Sequence, residues 1–460
     1  MIPPVMFDLF KAKLVTARQA RLWPYCAVLV CFAAVFLRFP GEWDSDTVNQ
    51  NSQMVFGNYR DWHPPLFAAF WSLLNTGWNA VTGMDYTGSG VLYVAHAVML
   101  WAGLALLIRA GSSFFLKFVE KEQWKLLAVL AALIFFGLFE MVPVTRFAFK
   151  DTAMMASYIL ALGIMLNMPR GGFSRWAAGL GCLLLLFYGT GVRHNAIFAL
   201  LPLLALFVNT LRPAMRLRLL VPLVFLIWAG MLAGINLLTY DVLKAKKEYS
   251  LQEIIFTDYW RINYATDTYD PPPVPGGKPW GALTEDVFFK FYNKKPIYIG
   301  SSFQFVHAYY GSEEAVPLRY DFSANPEDFK LLQKAWLSKV KNNLGVYISF
   351  HKEIFVTLLR EYSFMGLSGA VFFVFGILIS IAGAVRLLKR ASVNPTPYLI
   401  AFSGLLYVLP YIVAVPAIQR RYLFWFFFAT FLSVVWLAIL FASKYRVIRD
   451  RSDTAYSNNN

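Results

Sequence analysis

An all-α polytopic membrane fold of about ten transmembrane helices is what this chain predicts. Interfacial helices in the first outer loop and a small outer α or α+β domain complete it. Three observations carry that expectation. Hydrophobic residues fill 58% of the 460 positions against 15% charged, with a mean hydropathy of +0.50. A soluble core of this length does not need so much apolar surface. The apolar residues gather in runs that approach the ~20 residues needed to cross a bilayer. The basic residues behind the formal net charge of +15 sit in short clusters between those runs. That is the positive-inside pattern of cytoplasmic loops, and it argues against a nucleic-acid-binding surface.

Taken in order, the N-terminus carries Lys11, Lys13, Arg18 and Arg21 ahead of the run 22–39. The run ends in Phe39-Pro40-Gly41 without a small-residue cleavage pattern, so an uncleaved first helix is expected. Further runs cover 89–109, 125–142, 151–168, 175–190, 193–211, 219–239, 366–386, 397–415 and 421–443. The run 64–83 differs: it opens on Pro64-Pro65, carries Asn75 and Asn79, and suits a helix lying in the interface. Ten helices fit if 64–83 does not cross and the Lys/Arg-rich connections 109–125, 169–175, 212–218, 386–390 and 444–451 are cytoplasmic.

The opposite face then collects 40–88, 140–151, 188–194, 416–421 and the long hydrophilic stretch 240–365. The chain divides into an N-terminal transmembrane module, 1–239, whose first outer loop is 40–88, and an outer domain, 240–365. C-terminal helices, 366–443, and a cytoplasmic tail, 444–460, ending in Ser-Asn-Asn-Asn, follow. Within the outer domain the turn-rich segment 270–281 stands beside two expected short helices, 284–293 and 326–343. The three cysteines, Cys26, Cys31 and Cys182, lie inside apolar runs without metal spacing and read as small buried hydrophobes.

With this topology the polar residues at helix ends fall on one side. Asp46, Gln50, Gln53 and Gly57 follow an i, i+4, i+7, i+11 spacing, one face of a helix directly after the first span. Polar groups held against a membrane surface usually have chemistry to do. Asp46, and after it Asp44, is placed to accept a proton from an incoming hydroxyl; the alternative is that Asp44-Ser45-Asp46-Thr47 caps the helix. His63, fixed in an extended backbone by Pro64, either contacts a phosphate or sugar or caps a turn.

Arg146 and Lys150, four residues apart, suit a phosphate group, with Asp151 pairing, capping or orienting the acceptor. Arg193-His194-Asn195 opens a helix, whose N-terminus attracts anions. Gln419-Arg420-Arg421-Tyr422 puts two arginines on the outer face, where an anionic ligand gives them a reason to be. No HExxH, Cys/His cluster, glycine-rich phosphate loop or GxSxG is present, so neither metal nor nucleotide chemistry has a motif. A carboxylate pair could still hold a divalent cation, Mg or Mn, weakly.

Trp43-Asp44-Ser45-Asp46 with Gln50, Asp61-Trp62-His63-Pro64-Pro65, Lys150-Asp151, Arg193-His194-Asn195 and Arg420-Arg421-Tyr422 form a layout that resembles the GT-C superfamily of integral membrane glycosyltransferases. The likeness is one of arrangement across most of the membrane portion. It looks closest to bacterial members that decorate cell-surface polysaccharides or lipids. Asp-Ser-Asp departs from the acidic pair usual at this point, which leaves the base open between Asp46 and Asp44.

The resemblance implies inverting transfer of a sugar from a polyprenyl-phosphate donor to a lipopolysaccharide, cell-wall glycan or lipid acceptor. The site would face the periplasm from the inner membrane. Lys150, Arg146, Arg193, Arg420 and Arg421 would hold the donor phosphate. His63, Asp151, His194, Asn195, Gln50 and Tyr422 would contact substrate, without a soluble cofactor. An O-antigen-type polymerase or ligase would instead rest on residues in 240–365 such as His307 and Arg319. A transporter or flippase would place charges near the bilayer midplane, where the spans are nearly free of them. A membrane scaffold that binds partners through the outer domain is the third alternative.

Overall fold

The computed structural model describes residues 17–115, 137–213, 215–270, 325–388, 394–413 and 418–457. Among these the chain is helical, apart from a two-stranded hairpin pairing Ser363–Phe364 with Leu367–Ser368. The first half comprises α1 (Ala17–Phe36), α2 (Ser45–Phe56), α3 (Leu66–Thr82) and α4 (Gly90–Phe115). Then come α5 (Lys150–Leu166), α6 (Gly172–Gly191), α7 (Ala196–Leu211) and α8 (Leu217–Asn236). A π-turn, Leu237–Val242, extends α8 and leads to α9 (Leu251–Ala265). The second half holds α10 (Pro326–Asn342), α11 (Leu344–Glu361), α12 (Gly369–Leu388), α13 (Thr396–Val408) and α14 (Phe424–Ser457), with 3₁₀ turns at Leu409–Ile412 and Arg420–Leu423.

Five helical stretches among the described residues are long and apolar enough to cross a membrane: Gly90–Gly111, Gly172–Gly191, Leu217–Val242, Gly369–Leu387 and Arg420–Phe441. Two shorter apolar helices, Ala196–Leu211 and Thr396–Ile412, accompany them. The expected run 151–168 forms α5, one turn short of a full span. Most of the run 125–142 lies outside the described residues. So do 271–281, the helix expected over 284–293, His307, Arg319, Lys389, Arg390 and the final three asparagines.

Helices differ in which neighbour satisfies their apolar surface. Only 11% of the Leu217–Val242 window is buried in protein, against 61% of Arg420–Phe441. Side chains such as Leu226 and Phe225 therefore face outward, and a contiguous apolar surface of that kind is satisfied by lipid. Cys26 corrects the cysteine expectation: it is exposed on α1, on an outward side, while Cys31 and Cys182 are buried.

The central packing joins α5 to α4 and α6, and α13 to α14, α7 and α12. Small residues allow the closest approach. A Cβ at Gly103 would lie 2.6 Å from the Leu160 nitrogen, and one at Gly163 2.8 Å from the Gly103 oxygen, so α4 and α5 touch backbone to backbone. Ser403 donates to the Ala199 carbonyl (2.7 Å) and accepts from Trp425 Nε1 (3.1 Å), tying α13 to α7 and α14.

Local pairings fix the loop 40–88. Trp43 Nε1 donates to Ser89 Oγ at 2.7 Å, and Glu42 bridges to Phe147 in the segment before α5. The asparagines of α3 reach the turn that follows it. Asn75 donates to the Gly88 carbonyl (3.1 Å), and Asn79 Oδ1 accepts from the Tyr86 amide (2.9 Å). Asp61 accepts from the Glu248 amide (2.6 Å) and the Tyr240 hydroxyl (2.7 Å), so the end of the loop is fastened to the stretch after α8.

Candidate functional site

Four N-terminal segments and one C-terminal turn converge. α2 begins at a true cap: Asp44 Oδ1 accepts from the Thr47 amide (2.8 Å), with the Thr47 hydroxyl at 2.9 Å. That hydroxyl also lies 3.2 Å from the Ala148 carbonyl, which sets α2 beside the start of α5. Two residues beyond the cap, Asp46 meets three basic side chains. Its Oδ2 lies 3.0 Å from Lys150 Nζ and 3.1 Å from Arg421 Nη1, and its Oδ1 lies 3.4 Å from His63 Nε2. Arg421 Nη1 also reaches Asp44 Oδ2 at 2.8 Å.

Lys150 Nζ and His63 Nδ1 are 2.7 Å apart. An ammonium has only donors, so Nδ1 accepts and the neutral ring's hydrogen sits on Nε2, toward Asp46. Burial opposes the Asp46 charge, but Lys150, His63 and Arg421 outweigh it and hold its carboxyl far below the usual range. Burial, then the Lys150 charge, push the His63 imidazole below its ordinary value despite Asp46.

Both shifts have the same sign for stability. An ordinary histidine titrates near 6.5, so below about that pH the unfolded chain binds the proton first and stability falls. Asp46, whose ordinary value is 3.8, adds a second loss below about pH 4. His63→Gln is expected to shrink the upper step, which His194 shares because burial and the Lys150 charge lower it too, and to keep the lower. Thermal unfolding from about pH 8 to about pH 3 checks this, and an unchanged upper step would assign it to another group.

The neighbouring pair is more deeply buried. Asp151, with no exposed surface, lies 3.2 Å from Arg193 Nε (Oδ1) and 3.3 Å from Nη1 (Oδ2). Arg193 Nη2 donates to the Tyr411 hydroxyl (3.1 Å), which also accepts from Asn195 Nδ2 (2.9 Å). The Arg193 guanidinium stands 5.0 Å from the Tyr422 ring centre and that of Arg421 5.7 Å, so one ring faces two cations. The consecutive residues Lys150 and Asp151 thus join two charge clusters at the end of α5.

Other expected site residues stand elsewhere. Arg146 pairs with Glu42, so it and Lys150 do not clamp one group. Arg420 turns to Glu140 (2.7 Å) and the Ser363 carbonyl (3.1 Å), while Arg421 alone faces the aspartates. His194, in the loop before α7, does stand beside the first cluster, near the Lys150 and His63 charges and the Trp62 backbone. Gln50 is buried one turn from Asp46, with neither amide atom hydrogen-bonded among the described residues. The sequence reading missed Tyr411, Glu140 and Phe149, which lies under Arg421 at 5.6 Å.

Among the described residues no three His, Cys, Asp or Glu side chains converge as metal ligands. The Asp44–Asp46 pair does not fit a divalent cation either, because Arg421 Nη1 fills the position between their oxygens. None of the protein-family models, curated proteins and solved structures compared with the chain matches it.

Proposed function

We propose that the chain is an inverting glycosyltransferase, moving a sugar from a polyprenyl-phosphate donor to a cell-envelope glycan or lipid acceptor at the outer face of a bacterial inner membrane. One observation supports this above the rest. Lys150, His63 and Arg421, from three distant segments, meet one carboxylate at the ends of apolar helices. A lipid-linked phosphate presents its anion at that level, where preorganised cations stabilise the charge growing on the leaving group.

In this reading Asp46 takes the acceptor hydroxyl proton. The acceptor oxygen bonds to the anomeric carbon from the face opposite the phosphate, and the carbon–oxygen bond to the polyprenyl phosphate breaks, leaving the phosphate its electron pair. A carboxylate held by two cations and an imidazole N–H is a weak base. Donor phosphate, by drawing Lys150 and Arg421 to itself, restores basicity to Asp46 when both substrates are present. Asp44, engaged as the cap of α2, has the lesser role. Gln50 offers its free amide to a sugar hydroxyl one turn away. Arg193, with Asp151 and Tyr422, backs the phosphate site.

The ten-span topology belongs to this proposal, with 40–88 and 240–365 outside. Reporter fusions at Ser250 and after Leu388 are expected to report opposite sides of the membrane. A cytoplasmic result at both would remove the outer-face site.

Arg421→Ala is expected to lower transfer from a labelled polyprenyl-phosphate sugar by roughly 10²-fold. Arg420→Ala and Arg146→Ala, which lose contacts to Glu140 and Glu42, are expected to stay within about tenfold of wild type. Equal losses in all three would put the phosphate somewhere other than beside Asp46.

A further inference from the structure

A basic surface lies at the ends of α6, α7 and α8 remote from Asp46. Gly191 closes α6 and Asn195 precedes α7 at the end that holds Arg193. α7 runs for 16 residues, so its other end stands about 24 Å away. There the turns before α6 and before α8 meet on one guanidinium. Arg175 Nη2 donates to the Leu211 carbonyl (2.7 Å), and its Nη1 to the Arg170 carbonyl (3.0 Å).

Around that tie Arg170, Arg212, Arg216 and Arg218 are exposed. Among the described residues none of the four pairs with a carboxylate. No Asp or Glu occurs between Asp151 and Asp241, and no lysine between Lys150 and Lys244. The connection 109–125, by contrast, mixes Arg109 with Lys117, Lys121 and Lys125. A topology signal needs charge alone, which lysine supplies as well. A planar fork of donors matches the oxygens of a phosphate.

The apolar neighbours narrow the partner. Phe173 and Trp176, in the first turns of α6, are 88% and 74% exposed, and Leu217 and Leu219 open α8 outward. Tryptophan beside arginine at the end of an apolar helix fits the headgroup level of a bilayer. Beyond it, 22% of the Gly172–Gly191 window and 11% of the Leu217–Val242 window is buried in protein. The arginines are therefore continuous with surface that lipid covers. An acidic protein would complement the charge but not that continuation.

We infer that this surface binds an anionic phospholipid of the membrane. Arg170, Arg212 and Arg216 take its phosphate, and its acyl chains lie along α6 and α8. Basic side chains beside a span attract anionic headgroups over zwitterionic ones. Sugar transfer plays no part in the inference, which stands or falls apart from the reaction above.

Native mass spectrometry tests it, on the full chain released from nanodiscs of equal phosphatidylglycerol and phosphatidylcholine with matched acyl chains. Wild type is expected to retain phosphatidylglycerol over phosphatidylcholine by at least about tenfold. Arg170→Gln with Arg212→Gln and Arg216→Gln is expected to abolish that preference; Arg175 stays, because it ties the two turns. Lys334→Gln with Lys341→Gln and Lys352→Gln removes the same charge from exposed positions of α10 and α11, and is expected to keep the preference.

Melting temperatures verify the folds. Should the arginine variant melt early, Arg212→Gln alone carries the test, with an expected loss of about fivefold. An undiminished preference in the arginine variants, or the same fall in the lysine variant, overturns the inference. Equal retention of the two lipids by wild type overturns it as well, and leaves the surface to an acidic protein.

Discussion

Asp46→Asn is expected to lower sugar transfer by roughly 10²–10⁴-fold, the contribution of a positioned general base. The amide keeps the size of the carboxyl but cannot take the acceptor proton. The fold is expected to survive, because Arg421 keeps Asp44 at 2.8 Å and Lys150 keeps His63 at 2.7 Å. Asp44→Asn gives the contrast. Asparagine caps a helix about as well as aspartate, so α2 keeps its start, and Arg421 is left to Asp46 alone. Transfer is then expected within about tenfold of wild type.

Asp44→Ala removes the cap as well and costs about 1 kcal/mol of stability. Turnover of a labelled polyprenyl-phosphate sugar by the purified variants, alongside their melting temperatures, reads all three. Loss in Asp44→Asn with activity retained in Asp46→Asn would transfer the base to Asp44. Activity retained in both and in the double variant would end the carboxylate mechanism.

The contrast between these two aspartates also marks what can be read along the chain. The helix after Asp44 was visible because Asp-Ser-Asp-Thr is a capping pattern and Asp46, Gln50 and Gln53 recur on one face. The apolar runs located α4, α6, α8, α12 and α14 because a bilayer imposes one length on all of them. Arg421 was separable from Arg420 only in three dimensions. In a 3₁₀ turn consecutive side chains diverge by about a third of a circle, so one meets Glu140 and the other Asp44 and Asp46. Nothing local distinguishes them.

Tyr411 was illegible for a similar reason: it lies inside the apolar run 397–415, and its contact with Arg193 spans 218 positions. Nothing near His351 in sequence points to Asp258, which α9 brings to it. Pair partners far apart in sequence leave no periodic trace, whereas caps and spans do.

Arg193→Ala is expected to destabilise the protein by about 3–5 kcal/mol, the cost of leaving a buried carboxylate alone. Solvent screening offers little relief, since Asp151 is 0% and Arg193 9% exposed. Asp151→Asn has the converse effect on the guanidinium, softened because Tyr411 and the Tyr422 ring still receive it. Replacing both, as Arg193→Met with Asp151→Leu, is expected to recover most of the loss, since apolar pairs of similar volume often match a buried ion pair. Melting of the three variants in nanodiscs measures the coupling, and additive losses would show that the two residues do not act as a pair.

Activity then decides what the pair is for. If the double variant regains stability but transfers no sugar, the Arg193 charge acts on the donor phosphate through the site it shares with Arg421. If it regains both, Arg193 and Asp151 only hold α5, α7 and the Tyr411 turn together, and Lys150 and Arg421 carry the phosphate alone. Arg193→Lys sharpens the choice. A lysine keeps the charge but cannot fork onto Asp151 while lying over Tyr422, so a purely electrostatic role survives that change and a positioning role does not.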